Sequence, residues 1–307
     1  MCPTSPIHDP ELAAVAEQLR RMDPLGLRTA RTLRESLDQI YDGQRTGRYR
    51  WDQLHKTEKT YFGTLVEINL HKAFNFEDGQ VLDYRIGGSE VDCKFSQQLG
   101  GWMLPPEALS QLCILVWASD ESARWSMGLV RVCDDVLRAG RNRDLKASLS
   151  AAGRDSIRWL FDHAPLPGNV LLQLERGVVD RIMSLKSGQQ RINEIFRVAQ
   201  GKIVGRGVVA TLGQQDDYMK RIRANGGART RLQHEGIIIL GQWRSHAAIA
   251  KALGVPVPGC GDSLSVRVAR ADTRGLGAAE IRGTLWRVAT PDDPVVEAPA
   301  LPSANDE

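Results

Sequence analysis

The sequence predicts an α/β protein in two parts, an N-terminal domain built on a central β-sheet and a mainly helical C-terminal domain. Three observations carry that expectation. Val81 to Phe95 (VLDYRIGGSEVDCKF) places two β-type runs around Gly87-Gly88, and a glycine pair between alternating runs signals a two-residue hairpin. Leu112 to Ala118 (LCILVWA) is continuously apolar and Met127 to Cys133 partly alternates, as a central strand and its neighbour in one sheet would. Farther on, GQQDDYMKRIRANGGARTRLQHEGIIIL gives helix, glycine turn, helix and strand, the order of a winged helix-turn-helix.

Taken in order, residues 1–10 are expected to be disordered. Glu11 to Asp42 has helical apolar spacing, interrupted at Asp23-Pro24, because the residue before proline avoids the helical region. The following YDGQRTGRYRWDQLHK gathers Arg45, Arg48 and Lys56, with Lys59 beyond, around Tyr49 and Trp51; such interleaving suits backbone contacts to DNA. Within it, Ile40-Tyr41-Asp42-Gly43 is similar to the K-x-D-G adenylation motif of ligases. Ile40 stands where the nucleophilic lysine should be, so no phosphoramide can form and ligase activity is excluded.

Lys59 to Phe74 is a helix with Phe62, Leu65, Val66, Asn69 and Ala73 along one side. Glu67 shares a stripe with Leu70 and Phe74, and a carboxylate there is half exposed or serves a partner. In the hairpin, alternation sends Leu82, Tyr84, Val91 and Cys93 to an apolar face and Asp83, Arg85, Glu90, Asp92 and Lys94 to the other. Asp83 is then expected opposite Asp92, where like charges destabilise a ladder unless something lies between them. Mg²⁺ fits, since it favours carboxylate oxygens and keeps waters. The pattern D-x8-D-x-K suits attack of water on a phosphodiester, with Lys94 orienting the nucleophile and stabilising charge. Asp83, Asp92 and the Cys93 carbonyl are the candidate metal ligands, with Glu67 as a third carboxylate reaching the metal through water.

After the hairpin, Ser96 to Glu107 is a Gly/Pro-rich loop whose amides, Gln97 and Gln98, are placed to read substrate. Asp134 to Ser150 and Arg154 to Asp162 are expected to be helical, and Val170 to Leu174 to be a strand. The domain boundaries are set at 11–165 for the catalytic domain, 166–178 for a linker, 179–298 for the second domain and 299–307 for a disordered tail. Lys220, Arg221, Arg223, Arg229 and Arg231 fall on the turn and second helix of the helix-turn-helix, as candidate DNA contacts.

The 307 residues are 42% hydrophobic and 25% charged, with net charge +3, ordinary for a globular protein. Charge is uneven, however. Between Arg181 and Arg231 there are eleven Lys/Arg against Glu194, Asp216 and Asp217, which fits a polyanion-binding face. No run approaches the ~18 apolar residues of a membrane span, and the first residues lack a signal-peptide plan; a cytoplasmic protein is expected. The five cysteines show no zinc spacing, and Cys93, Cys113 and Cys133 are expected to be buried thiols.

The strings YDGQRTGR, DQLHKTEKT, GTLVEINLHK, VDCKFS, GWMLPPE, VWASD, QQDDYMKRIR, GGAR and EGIIILG resemble, in the same order, those of the NaeI family of type II (IIE) restriction endonucleases. The similarity runs from about Asp23 to about Pro299. It implies a homodimer with a catalytic domain of the PD-(D/E)xK fold, a central mixed sheet, and a catabolite-activator-like, topoisomerase-like second domain. It puts Asp83, Asp92 and Lys94 on the catalytic positions, Glu67 on the auxiliary carboxylate, and Ile40 where the family also lacks the ligase lysine. Leu82 stands where the superfamily pattern writes proline. The resemblance further implies two copies of double-stranded DNA, one as effector and one as substrate, with Mg²⁺-dependent blunt cleavage at GCCGGC leaving 5′-phosphates. A cognate methyltransferase is the implied genetic partner. The competing reading is a DNA-binding regulator with a decayed nuclease domain.

Overall fold

The computed structural model describes residues 9–302 and divides the chain into two units. The first holds residues up to Ile40 together with Arg50–Pro167, and the second Tyr41–Tyr49 together with Gly168 onward. The helices preceding the first sheet are α1 (Pro10–Met22), α2 (Leu27–Tyr41), the single turn α3 (Gly43–Thr46) and α4 (Lys56–Phe74). Residues 1–8 of the expected disordered N-terminus lie outside the described residues, but Asp9 and Pro10 correct that expectation. Asp9 caps α1 by accepting from Leu12 N at 2.9 Å, with Pro10 in the first turn where its missing N–H costs nothing, and Asp9 also pairs with Arg131 at 2.8 Å.

The strands of the first unit are β1 (Glu77–Asp78), β2 (Tyr84–Ile86), β3 (Ser89–Ser96), β4 (Met103–Leu104), β5 (Leu112–Ser119), β6 (Arg124–Arg131), β7 (Leu137–Arg141), β8 (Ala147–Leu149) and β9 (Arg158–Pro165). Six of them form a mixed sheet in the order β1-β2-β3-β5-β6-β9, in which β3 and β5 run parallel and the other pairs antiparallel. Leu112 to Val116 are almost wholly buried, as a central strand covered on both faces requires. Helix α1 packs on β6 and α4 on β3, where Phe62 meets Phe95 edge to face at 4.8 Å. The opposite face carries Cys113, Leu115, Val130 and Val132, packed with Leu104, Leu137, Ala147 and Leu149 of a small sheet ordered β4-β8-β7.

Three local expectations are corrected here. Residues 134–150 are not helical. A 3-10 turn leads into the β7–β8 hairpin, whose turn is closed by the Asn142 side chain accepting from Asp144 N and Lys146 N. Arg154 to Asp162 yields only the short α5 (Ala151–Asp155) before β9, because pairing with β6 satisfies that backbone and overrides its helical spacing. Val170 to Leu174 is a helical turn, α6 (Val170–Gln173), with Asn169 Oδ1 accepting from Leu171 N at 3.1 Å.

In the second unit follow α7 (Arg176–Met183), α8 (Gly188–Val198), β10 (Ile203–Val204), α9 (Arg206–Gly213), a 3-10 helix (Tyr218–Ile222), α10 (Ala228–Gln233), β11 (Ile237–Leu240), α11 (Arg244–Leu253), β12 (Ser263–Arg270), β13 (Ala278–Ile281) and β14 (Thr284–Val288). Expected to be mainly helical, it also carries a five-stranded antiparallel sheet. Alternation along β11 explains its all-apolar sequence. Ile237 and Ile239 join a core of helices α7 to α10, while Ile238 and Leu240 join a second core with α11, Val266 and Trp286.

Residues 299–302 of the expected disordered tail are held: Ala300 O accepts from Arg282 Nε at 2.9 Å and Pro302 O lies 3.1 Å from His246 Nε2. Residues 303–307 lie outside the described residues. Cys93 and Cys113 are buried thiols, whereas Cys133, expected to be a third, is disulfide-bonded. No helix among the described residues is long and apolar enough to cross a membrane.

Candidate active site

The turn between β2 and β3 uses Gly87 at φ 62° and Gly88 at φ 88°, the left-handed pair of a type I′ hairpin that only glycine adopts without strain. The register is Tyr84 with Val91, Arg85 with Glu90 and Ile86 with Ser89. Leu82, Tyr84, Val91 and Cys93 are buried against the helical layer. Asp83 departs from expectation. It precedes β2 instead of pairing with Asp92 in the ladder, and its Oδ2 accepts the Cys93 N–H at 2.8 Å. The approach to Asp83 is fixed from below by Glu90, whose carboxylate accepts from Gln80 N, Val81 N and Leu82 N at 2.8, 3.1 and 3.0 Å.

One ammonium gathers the site. Lys94 Nζ donates to Asp92 Oδ1 at 2.6 Å, to the Cys93 carbonyl at 2.9 Å and to Asp83 Oδ2 at 3.2 Å. Asp92 is 3% exposed, not the solvated residue a charged hairpin face suggests, and its other oxygen lies 3.7 Å from the Cys113 thiol, which donates to it. The Glu67 backbone is tied to the hairpin by the Tyr84 hydroxyl, which donates to Glu67 O at 2.7 Å.

Electrostatics follow from burial. Desolvation raises the Asp92 carboxyl above the usual range even though Lys94 pulls it back. Desolvation pushes Glu67 up to about 7, reinforced by the charge of Asp83. Lys94 is pushed above its ordinary value because the Asp92 and Asp83 carboxylates outweigh the desolvation that opposes them. Three carboxylates around one lysine leave net negative charge.

That excess and the donor set fit a divalent cation. Two carboxylate oxygens and a carbonyl already converge on a cationic centre, and such hard oxygen donors are what Mg²⁺ prefers while retaining waters. Glu67 stands beside this set as a further carboxylate, close enough to Asp83, Asp92 and Lys94 for the charges of all three to act on it.

The other sequence-derived candidates scatter. Ile40 and Tyr41 are buried, Asp42 takes φ 46°, and Gly43 leaves no room for a Cβ, which would sit 2.0 Å from Thr211 Oγ1. The adenylation-like string is thus a tight structural turn. Arg45 is exposed beside Asp42, and Arg48 Nε donates to Tyr41 O; both belong to the second unit, outside the catalytic domain expected for them. Lys56 is exposed and Lys59 half-buried at the start of α4. Gln97 and Gln98 are exposed just past β3.

Of the second-unit cations, Lys220 pairs with Asp217 at 2.8 Å and Arg223 approaches it at 4.0 Å. Arg221 donates to Gln215 Oε1, and Arg231 to Gly226 O. Arg229 is tied into the fold. Its Nε donates to Ile239 O at 2.9 Å, its guanidinium stacks over Trp243 at 4.7 Å, and desolvation lowers it to about 10. The first of the two helices there is a 3-10 turn, not α.

Sequence reasoning missed Cys113, Tyr84 and Glu90 as supports of the site. Only Glu90 left a trace, as an acid opposite Arg85.

An acid–acid–lysine cluster on a hairpin of a mixed sheet defines a candidate phosphodiester-cleaving centre, and the comparisons with known proteins place the chain among the restriction endonucleases. The model of the family described as restriction endonuclease NaeI matches residues 13–297, and the type II restriction enzyme NaeI of Lentzea aerocolonigenes is 50% identical over 307 residues, covering 97% of this chain and 96% of that one. The chain belongs to the NaeI restriction endonuclease family.

Proposed function

We propose that this enzyme is a Mg²⁺-dependent, site-specific endonuclease of the PD-(D/E)xK type, cutting double-stranded DNA at GCCGGC to blunt ends with 5′-phosphates. The observation that carries the reading is the convergence of Asp83, Asp92 and the Cys93 carbonyl on Lys94 Nζ. These three oxygens would hold the metal, which when bound lowers the pKa of the attacking water and neutralises charge at the phosphate. Lys94 keeps its proton, pinned by the carboxylates, so its ammonium orients the nucleophile and meets the negative charge that develops on the phosphoryl oxygens. Glu67, near 7, is poised to hold a proton at its carboxylate at neutral pH. Asp92→Asn is expected to abolish cleavage of a GCCGGC plasmid while site-specific binding persists; continued cutting would remove Asp92 from the centre. Metal-independent binding without cleavage by the wild type would favour the regulator.

We further propose that the second unit binds an effector copy of the site through a helix-turn-helix, within a cytoplasmic homodimer that works beside a cognate methyltransferase. The 3-10 helix, glycine turn, α10 and β11 in succession, and the basic excess between Arg181 and Arg231, support it. Lys220→Glu with Arg223→Glu should reduce stimulation by added site-bearing oligonucleotide and flatten its salt dependence by about 0.9 in log–log slope for each phosphate no longer neutralised. Unchanged stimulation would place the effector surface elsewhere.

A further inference from the structure

The β7–β8 hairpin sits on a particular face of the first sheet. Strand β3 pairs with β5 so that Asp92 opposes Cys113 and Lys94 opposes Leu115, and paired residues point to the same side. The thiol contact between Cys113 and Asp92 confirms the shared side. Leu137, Ala147 and Leu149 at the base of the hairpin pack on Cys113, Leu115, Val130 and Val132. The hairpin therefore rises from the catalytic face of the sheet, on the strands next to the one that carries Asp92 and Lys94.

Its tip is shaped and charged. Residues 138–145 are all exposed, and RAGRNRDLK (138–146) holds Arg138, Arg141, Arg143 and Lys146 against Asp144 alone. Arg141 reaches back to Asp134 at 3.4 Å, which leaves Arg138, Arg143 and Lys146 as the cations directed by the tip. The tip is not a loose coil, because Asn142 N donates to Lys146 O and the Asn142 side chain closes the turn. Strand β7 bulges against β8, with Leu137 opposite Leu149 and Arg141 opposite the buried Ala147, so the turn at 142–146 is what projects beyond the base.

We infer that this hairpin is a DNA-tracking arm, whose Arg138, Arg143 and Lys146 contact backbone phosphates of the duplex lying at the catalytic centre. The inference rests on the catalytic reading above, and adds to it a substrate-binding surface that acts through charge, without base readout. Duplex DNA presents one negative charge per about 1.7 Å of axis, and each phosphate neutralised contributes about 0.9 to the log–log salt slope.

The test is single-turnover cleavage of a one-site duplex by the full-length Arg138→Gln/Arg143→Gln/Lys146→Gln enzyme with Mg²⁺, between 50 and 200 mM salt. With all three cations replaced by neutral amides, the fall in kcat/KM across that range should shrink roughly 40-fold, with kcat at saturating DNA unchanged. Binding of non-cognate duplex should weaken in parallel, and Arg138→Lys/Arg143→Lys should behave as wild type, because a point charge suffices for a phosphate. An unchanged salt slope overturns the arm, as does a loss confined to cognate DNA. Failure of the catalytic reading is separable, since it shows as Asp92→Asn retaining cleavage whatever the hairpin variants do.

Discussion

Lys94 satisfies all three of its N–H donors on oxygens that the proposed mechanism assigns to a metal, so the lysine and the cation must share them. Glu67 registers the remaining imbalance. Its carboxyl is raised by burial and by Asp83 from 4.5 to about 7. A carboxyl whose folded pKa exceeds its unfolded one favours the fold most at pH below about 4.5, and that contribution is lost as pH rises through about 7. Above pH 7 the ionised Glu67 therefore weakens the metal-free protein. Glu67→Gln is expected to raise metal-free stability at pH 8 by about 1–2 kcal/mol, the full shift being discounted for the group's partial contact with solvent, while slowing cleavage. Equal melting temperatures of the two proteins at pH 5 and a gap at pH 8 are the signature to look for; a gap that does not grow with pH would show that Glu67 carries no such strain.

At the scale of elements, the hairpin succeeds because each end is clamped. The glycine pair sets its turn, the Tyr84 hydroxyl ties it to α4, and Glu90 holds the three N–H groups of residues 80–82 that deliver Asp83. A carboxylate can accept several backbone hydrogen bonds at once, which a neutral amide does less well. Glu90→Gln should accordingly lower kcat several-fold and raise the Mg²⁺ concentration needed for half-maximal rate, with DNA affinity little changed. A loss of affinity at constant kcat would mean that Glu90 serves the DNA surface and not the placement of Asp83. The same scale explains the misread segments. Residues 137–149 and 158–165 carry no decisive local signal against helix, and become strands because β4 and β6 offer them open edges to pair with.

At the scale of the whole molecule, the first unit keeps buried charge, with Arg34 bridging Asp120 at 2.5 Å and Asp38 at 2.8 Å, and the carboxylates of the candidate active site lie in the same unit. A cation that binds the folded site and not the unfolded chain stabilises it by about 2.7 kcal/mol at one hundred times its Kd. Mg²⁺ should thus raise the melting temperature of the wild type, and should do so little or not at all for Asp92→Asn; equal shifts in both would argue that the metal binds elsewhere.

The sequence alone determined the hairpin, its glycine turn, the side-chain alternation, the helix carrying Glu67 and the central strand, because each rests on local periodicity or on a residue with a special backbone range. The identities of Asp83, Asp92 and Lys94 as one group were legible for the same reason, since they lie within twelve residues. Only the tertiary structure decided that Asp92 is buried beside Cys113, that Arg229 turns inward onto Trp243, that residues 41–49 leave the first unit for the second, and that residues 137–149 are a hairpin on the catalytic face. Those outcomes depend on which distant strand or side chain takes up a hydrogen bond or a buried face, and no local pattern encodes the partner.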